Sequence, residues 1–142
     1  MRLVVDSNVV FAALLRAGTT RAILVDPPFR LLAPEWMLVE MRRHRVAILG
    51  RAGLSESEFD LLFTLVTQGM EIVASEDYES FIDEASNRMR GRDPGDTPFL
   101  ALALATRCDG IWTQNLRHFK DTGLRIWSTE DLVSWVGGSG RA

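Results

Sequence analysis

Four acids and one amide stand out for their positions: Asp6, Glu40, Asp93, Asp96 and Asn115. Asp6 closes the apolar run Leu3-Val4-Val5, Asp93 and Asp96 flank Pro94-Gly95, and Asn115 follows Trp112-Thr113-Gln114. Glu40 lies among Met37, Leu38, Val39 and Met41, where helical spacing puts it on the flank of an apolar stripe. Each has an ordinary reading as well. Asp6 or Asp96 can cap a helix, Asn115 suits a turn, and Glu40 can pair with Arg43 or His44 one helical turn away. Taken together they suggest a different chemistry. Two carboxylates about 5 Å apart repel by roughly 3 kcal/mol at an effective dielectric of 20. Three such pairs cost about 10 kcal/mol, comparable to the whole stability of a domain, roughly 5–15 kcal/mol. Such a cluster calls for bound cations, raised pKa values or hydration, and oxygen ligands without a Cys or His pair favour Mg²⁺ or Mn²⁺ over Zn²⁺.

The elements that must bring these residues together alternate between strand and helix. Leu3–Val5 reads as a buried strand, with Asn8 as cap of a helix over Val9–Leu15 and a second short helix over Thr20–Val25. Phe29–Ala33 is the second strand, and Pro34 opens a helix expected over Glu35–Leu49. Ser55-Glu56-Ser57-Glu58 has the reciprocal capping pattern of a helix start. Met70–Val73 is the third strand, and a helix is expected from Ser75 to Met89. After the loop Arg90–Gly95 comes an apolar helix from Asp96, then strands at Ile111–Thr113 and Leu124–Trp127 and a helix over Thr129–Val136. The order predicts a single α/β domain over 1–136, three layers deep, with a mostly parallel five-stranded sheet flanked by helices and a flexible tail over 137–142. Ligands of such sheets gather at the carboxyl ends of the strands, and three of the acids and the amide fall at or beside the ends of strands expected to converge.

Composition bounds the alternatives. With 46% hydrophobic and 25% charged residues, the 142-residue chain has the balance of one globular domain. Its longest apolar runs, Val9–Leu15 and Phe99–Ala105, fall far short of the roughly 20 residues of a membrane helix. No membrane association is expected, and the lone Cys108 fits a reducing compartment, with the cytoplasm as the expected location. Sixteen bases against 19 acids give a net charge of −3, which in bulk disfavours nucleic acid. Setting Asp6, Glu40 and Asp96 aside as cation ligands leaves 16 acids against 16 bases, so that objection becomes one of local placement.

The segments Val4-Val5-Asp6-Ser7-Asn8-Val9, Asp93-Pro94-Gly95-Asp96-Thr97-Pro98-Phe99, and Trp112-Thr113-Gln114-Asn115 with His118-Phe119, together with Glu40 after the second strand, resemble a PIN-domain nuclease over nearly the full length. The likeness implies an acidic cleft holding Mg²⁺ or Mn²⁺, with Asp6, Glu40 and Asp96 as metal-coordinating acids and Asp93 as a further metal ligand. It also places Asn115 where many members carry a fourth Asp, in a catalytic position, and His118 where relatives often have an acid. The implied reaction is metal-dependent hydrolysis of RNA phosphodiesters, with Glu40 or Asp96 orienting the attacking water. Small single-domain members resemble VapC-type toxins of type II toxin–antitoxin pairs, which implies a homodimer, an RNA substrate and a small antitoxin partner. Arg42, Arg43 and Arg45, or Arg88, Arg90 and Arg92, suit RNA phosphates; as solvated surface they need no function.

Other chemistries find less support. There is no G-x-G-x-x-G after the first strand and no G-x-x-x-x-G-K-[ST], which disfavours dinucleotide and P-loop enzymes. The single Lys120 is poorly placed for a phospho-receiver domain, and Cys108, at the end of an apolar helix, suits packing better than nucleophilic catalysis. The rival from another class is a degenerate PIN-like module that binds RNA or protein without cleaving, favoured by Asn115 in place of an acid.

Overall fold

Leu3, Val4 and Val5 are all fully buried because β1 (Arg2–Val5) is the middle strand of a parallel sheet covered on both faces. This is seen in a computed structural model that describes residues 1–139. The other strands are β2 (Arg30–Pro34), β3 (Met70–Val73), β4 (Ile111–Trp112) and β5 (Ile126–Trp127), in the order β3-β2-β1-β4-β5. All four pairings are parallel, with Leu3 beside Leu31, Val5 beside Trp112 and Trp112 beside Trp127.

The helices are α1 (Ser7–Leu15), α2 (Thr19–Val25), α3 (Trp36–Ala52), α4 (Glu56–Thr67), α5 (Ile82–Met89), α6 (Thr97–Thr106) and α7 (Thr129–Ser139). Right-handed crossovers decide their layers. The chain moves outward from β1 to β2 to β3 through α1–α4, which pack on one another, then returns across the sheet to β4 through α5 and α6 on the other face. α6 crosses beneath β1 and β2 with Phe99–Ala103 fully buried, which explains why its sequence is apolar all round. No single helix among the described residues is long and apolar enough to cross a membrane.

Several boundaries differ from the sequence expectation for identifiable reasons. Helix α1 starts at Ser7, so Asn8 lies inside its first turn and does not cap it. The N-cap position belongs to Asp6, whose backbone is extended (φ −72°, ψ 147°) and whose side chain makes no capping bond. Helix α3 runs through Gly50 and stops only at Gly53, which takes the left-handed conformation at φ 67°. The helix expected from Ser75 is broken into 3₁₀ turns at Ser75–Asp77 and Glu79–Phe81 before α5, because buried Tyr78 interrupts helical geometry at φ −133°, ψ −4°. At the end of the chain α7 continues to Ser139, past the expected limit at Val136, so the tail does not begin at 137; residues 140–142 lie outside the described residues.

Candidate metal centre

The strand order reverses at β1, since β2 lies on one side of it and β4 on the other, and the crevice beyond Val5 and Trp112 is the switch point where such sheets bind ligands. Asp6 enters this crevice directly from β1. Its N–H donates to the Trp112 carbonyl at 2.9 Å, which extends the β1–β4 pairing by one residue and fixes where the carboxylate starts. The Thr113 hydroxyl then donates to Asp6 Oδ2 at 2.8 Å. That hydroxyl is itself held, accepting from Asn8 Nδ2 at 3.2 Å and from the Asn115 N–H at 3.1 Å. Asn8 also accepts from the Gln114 N–H at 3.0 Å, so the residue expected as a cap instead ties α1 to the chain leaving β4.

Asp96 arrives from the other face, as the last residue of the 3₁₀ turn Pro94–Asp96 that leads into α6. Asp93 folds that turn by accepting from the Gly95 N–H at 2.9 Å. The Trp36 indole N–H donates to the Gly95 carbonyl at 3.2 Å, joining the turn to the start of α3. Glu40 sits one turn further along α3; a Cβ on Gly95 would lie 3.8 Å from its Oε2, so glycine leaves room for the carboxylate beside the loop. Arg92 fastens the preceding segment, donating to the carbonyls of Met89 at 2.7 Å and Arg117 at 3.1 Å. The latter bond reaches the 3₁₀ turn Leu116–Phe119, which carries His118.

Three elements thereby converge on one point. Asp6, Asp96 and His118 each offer a ligand atom within 4.8 Å of the others. Asp6 is 1% exposed and Asp96 8%. His118 Nδ1 lies 3.1 Å from Asp96 Oδ2, yet neither atom is aligned for a hydrogen bond. Asp6 Oδ1, Glu40 Oε1, Asp96 Oδ2 and His118 Nδ1 are all buried without a hydrogen-bond partner among the described residues. Unpaired buried groups of this kind each cost on the order of 1–3 kcal/mol and more when charged, so the group of Asp6, Asp96 and His118, with Glu40 at its border, marks a position where added positive charge is favoured. A divalent cation fits that donor set.

The electrostatics agree with the geometry. Burial first, then the nearby Asp96 charge, pushes the Asp6 carboxyl up to about 7 against the opposing Thr113 hydrogen bond. Glu40 is also pushed up to about 7, by burial and then by Asp6, Asp96 and Asp93, with the Ser7 hydroxyl opposing. Asp96 is raised by burial and Asp93, while His118 pulls it down. Each acid therefore resists ionising beside the others unless positive charge is supplied.

A family model for the PIN domain matches residues 4–134, from β1 into α7. The chain belongs to the PIN domain family. No curated protein matches it. The PIN domain is generally a nuclease, and in this one the acids singled out by sequence occupy unequal positions. Asp6 and Asp96 form the centre, and Glu40 borders it from α3 but stands outside the three-atom group. Asp93 is exposed and shapes the loop, raising its neighbours' pKa values through its charge. Asn115 turns its oxygen to the Arg117 N–H at 3.2 Å and its nitrogen to His118 Nε2 at 2.8 Å, so its carbonyl is engaged away from the acids. Thr113 is the site residue that sequence reasoning passed over. His118 stood out only as a departure from the usual acid, and Thr113 becomes visible only when β4 is paired with β1.

Proposed function

We propose that this PIN domain is a metal-dependent endoribonuclease that hydrolyses RNA phosphodiester bonds with Mg²⁺ or Mn²⁺, serving as the toxin of a type II toxin–antitoxin pair. The observation that supports it best is the convergence of Asp6, Asp96 and His118, whose ligand atoms lie within 4.8 Å of one another, beside the unpartnered carboxylate oxygen of Glu40. A divalent cation at such a centre supplies charge compensation for the acids, Lewis-acid polarisation of a phosphodiester and a more acidic water.

The residues around it do the rest. Asp6, fixed by Thr113 and the β1–β4 ladder, and Asp96, fixed by the Asp93 turn, hold the centre in place. Glu40 borders this group and faces a cleft of about 540 Å³ lined also by Trp36, Arg43, His44, Asp93 and Gly95. From there its carboxylate is suited to take a proton from the attacking water. The Arg43 guanidinium lies 5.0 Å from the centre of the Trp36 ring, at the same cleft, where it suits a substrate phosphate or base. Arg88 and Arg92 are poor candidates for that role, since Arg88 is bound to the Thr122 carbonyl and Glu84, and Arg92 to backbone carbonyls.

The test is cleavage of a mixed RNA pool with and without Mn²⁺, with Asp6→Asn and Asp96→Asn as controls. Mn²⁺-dependent cleavage that falls at least about 100-fold in both variants is expected. Cleavage indifferent to both substitutions would refute the site. Absence of cleavage with any metal, together with retained RNA binding, would favour the non-cleaving module to which Asn115 gives some support. The toxin role is tested separately: growth arrest on expression, relieved by co-expressing the product of a small adjacent reading frame, is the expected outcome.

A further inference from the structure

Resting on the reading of this protein as a ribonuclease, we infer that the polar cleft at the ends of β4 and β5 is a second subsite for single-stranded RNA. In it Arg16 holds the phosphate of a nucleotide next to the one at the metal centre, and Gln114 reads that nucleotide's base edge. The cleft measures about 340 Å³, and Arg16, Thr19, Thr20, Arg21 and Gln114 supply its polar walls, with no acid among them. Arg16 is exposed and forms no ion pair among the described residues. Arg21 is aimed by the bond from its Nε to the Ala13 carbonyl at 2.7 Å, which leaves its two terminal nitrogens for a ligand.

The place of this cleft in the sheet ties it to the centre. Across the strand order β2-β1-β4-β5, the Trp36 cleft follows β2, Asp6 follows β1, Gln114 lies just beyond β4, and Thr129 lies just beyond β5. Neighbouring strands lie about 4.8 Å apart, so the two clefts flank the centre along a path of about 15 Å. A chain laid over the centre from the Trp36 cleft leaves it over Gln114. One residue separates centre from cleft, since Thr113 donates to Asp6 and the next N–H, that of Gln114, is held by Asn8.

The hydrogen bonds fix what the cleft offers. Thr129 Oγ1 accepts from Trp112 Nε1 at 3.1 Å and from Gln114 Nε2 at 3.3 Å. With both lone pairs used, its own proton goes to Thr20 Oγ1 at 3.1 Å, which also accepts from Gln114 Nε2 at 3.3 Å. The Thr20 hydroxyl proton is then left over. So is the Gln114 carbonyl oxygen, because the amide nitrogen is the end that faces the two threonines. A free acceptor beside a free donor suits the edge of an unstacked base, while the arginines suit the phosphate that sets its position.

The experiment uses the full chain carrying Glu40→Gln, loaded with Mn²⁺ and titrated against labelled single-stranded RNA oligonucleotides with fluorescence anisotropy as the readout. Arg16→Gln is expected to lower affinity about five- to tenfold for every sequence and to reduce the salt slope by about one. Gln114→Ala is expected to leave the slope alone and to shrink, by at least about threefold, the spread of affinities among oligonucleotides that differ in one base. Both variants should keep the parent's melting curve and its calorimetric Mn²⁺ affinity. Arg30→Gln, at the opposite end of β2, should change neither affinity nor slope. Parental affinity and slope in Arg16→Gln, or parental base preference in Gln114→Ala, overturns the inference; RNA cleavage by the unsubstituted chain then leaves the nuclease reading intact. Mn²⁺ affinity lost in Gln114→Ala would make Gln114 a support of Thr113 and overturn its assignment to the base. The expected losses in a chain that cleaves no RNA with any metal have the opposite meaning: the subsite stands and the proposed cleavage falls.

Discussion

Asp6 occupies the candidate centre at a structural cost. Its carboxyl and that of Glu40 are both pushed up to about 7, against ordinary values of 3.8 and 4.5. Above pH 4 the folded state therefore holds protons that the unfolded state has released, so the stability of the metal-free protein falls as pH rises from about 4 through 7. Discounted for the part of Glu40 that water reaches, the two contribute a few kcal/mol in that window. The expected outcome is a metal-free Tm that drops by at least about 5 °C between pH 5 and pH 8 and flattens when Mn²⁺ is added. Asp6→Asn keeps an oxygen to accept from Thr113 but never ionises. It should raise the metal-free Tm at pH 8 by several degrees while abolishing cleavage, and a lowered Tm would show that the charge was not the source of strain. Asp6 and Asp96 stood out in the sequence because an acid beside a buried strand or helix is conspicuous, whereas Glu40, an ordinary flanking residue by itself, was placed by the family resemblance and its position in the order of elements. Thr113 did not stand out, and His118 did so only as a departure from an acid, because a hydroxyl in a strand and a histidine in a turn acquire meaning only from the pairing of β1 with β4 and from the Arg92 staple.

At the scale of elements, the centre depends on segments distant in sequence being held in register. The β4–β5 edge rests on Gly110, whose φ of 141° is a conformation that residues with side chains rarely adopt and whose added Cβ would strike the Arg125 carbonyl and come within 2.7 Å of Trp127 Nε1. Gly110→Ala should cost several kcal/mol in chemical denaturation, since the strained backbone and the collision act together. Because β4 feeds Thr113, any fraction that folds should also bind Mn²⁺ more weakly; wild-type stability would show that the two strands can part without harm. Ser55→Ala makes the opposite case. It removes the side-chain half of the reciprocal cap on α4, in which Ser55 Oγ accepts from the Glu58 N–H at 3.2 Å, and leaves the backbone N–H at 55 that donates to Glu58 at 2.9 Å. A loss of about 1 kcal/mol is expected, with metal binding unchanged. The alternation of strands and helices and this cap were readable because both are local patterns. The break at Tyr78 and the passage of α3 through Gly50 were not, because buried contacts override local preference there: Tyr78 is in the core, and Ile48, two residues before Gly50, is buried against it.

For the whole molecule the issue that the proposed function raises is how a chain of net charge −3 would hold a polyanion. The three acids lie at one end of the sheet, and a cation bound among them would reverse the sign of the field where a polyanionic substrate would arrive. Arg43 is the arginine placed to extend that effect, because it opens onto the same cleft as Glu40 and rests on Trp36, which is tied to the Asp93–Asp96 turn. A guanidinium over an indole is held in place by the ring rather than by a competing carboxylate, so it stays available to phosphate. Binding of single-stranded RNA to the Glu40→Gln protein, which keeps the Asp6–Asp96–His118 group, should therefore tighten when Mn²⁺ is added. It should also weaken with salt, as phosphate contacts require. Replacing Arg43 by Gln in that background should lower affinity about five- to tenfold and reduce the salt slope by about one, as expected for one lost phosphate contact. The measurement is fluorescence anisotropy of a labelled oligonucleotide across a potassium chloride series. An unchanged slope in Arg43→Gln would move the RNA path away from the Trp36 cleft, and an affinity indifferent to Mn²⁺ would mean that charge reversal at the strand ends is not what admits the substrate.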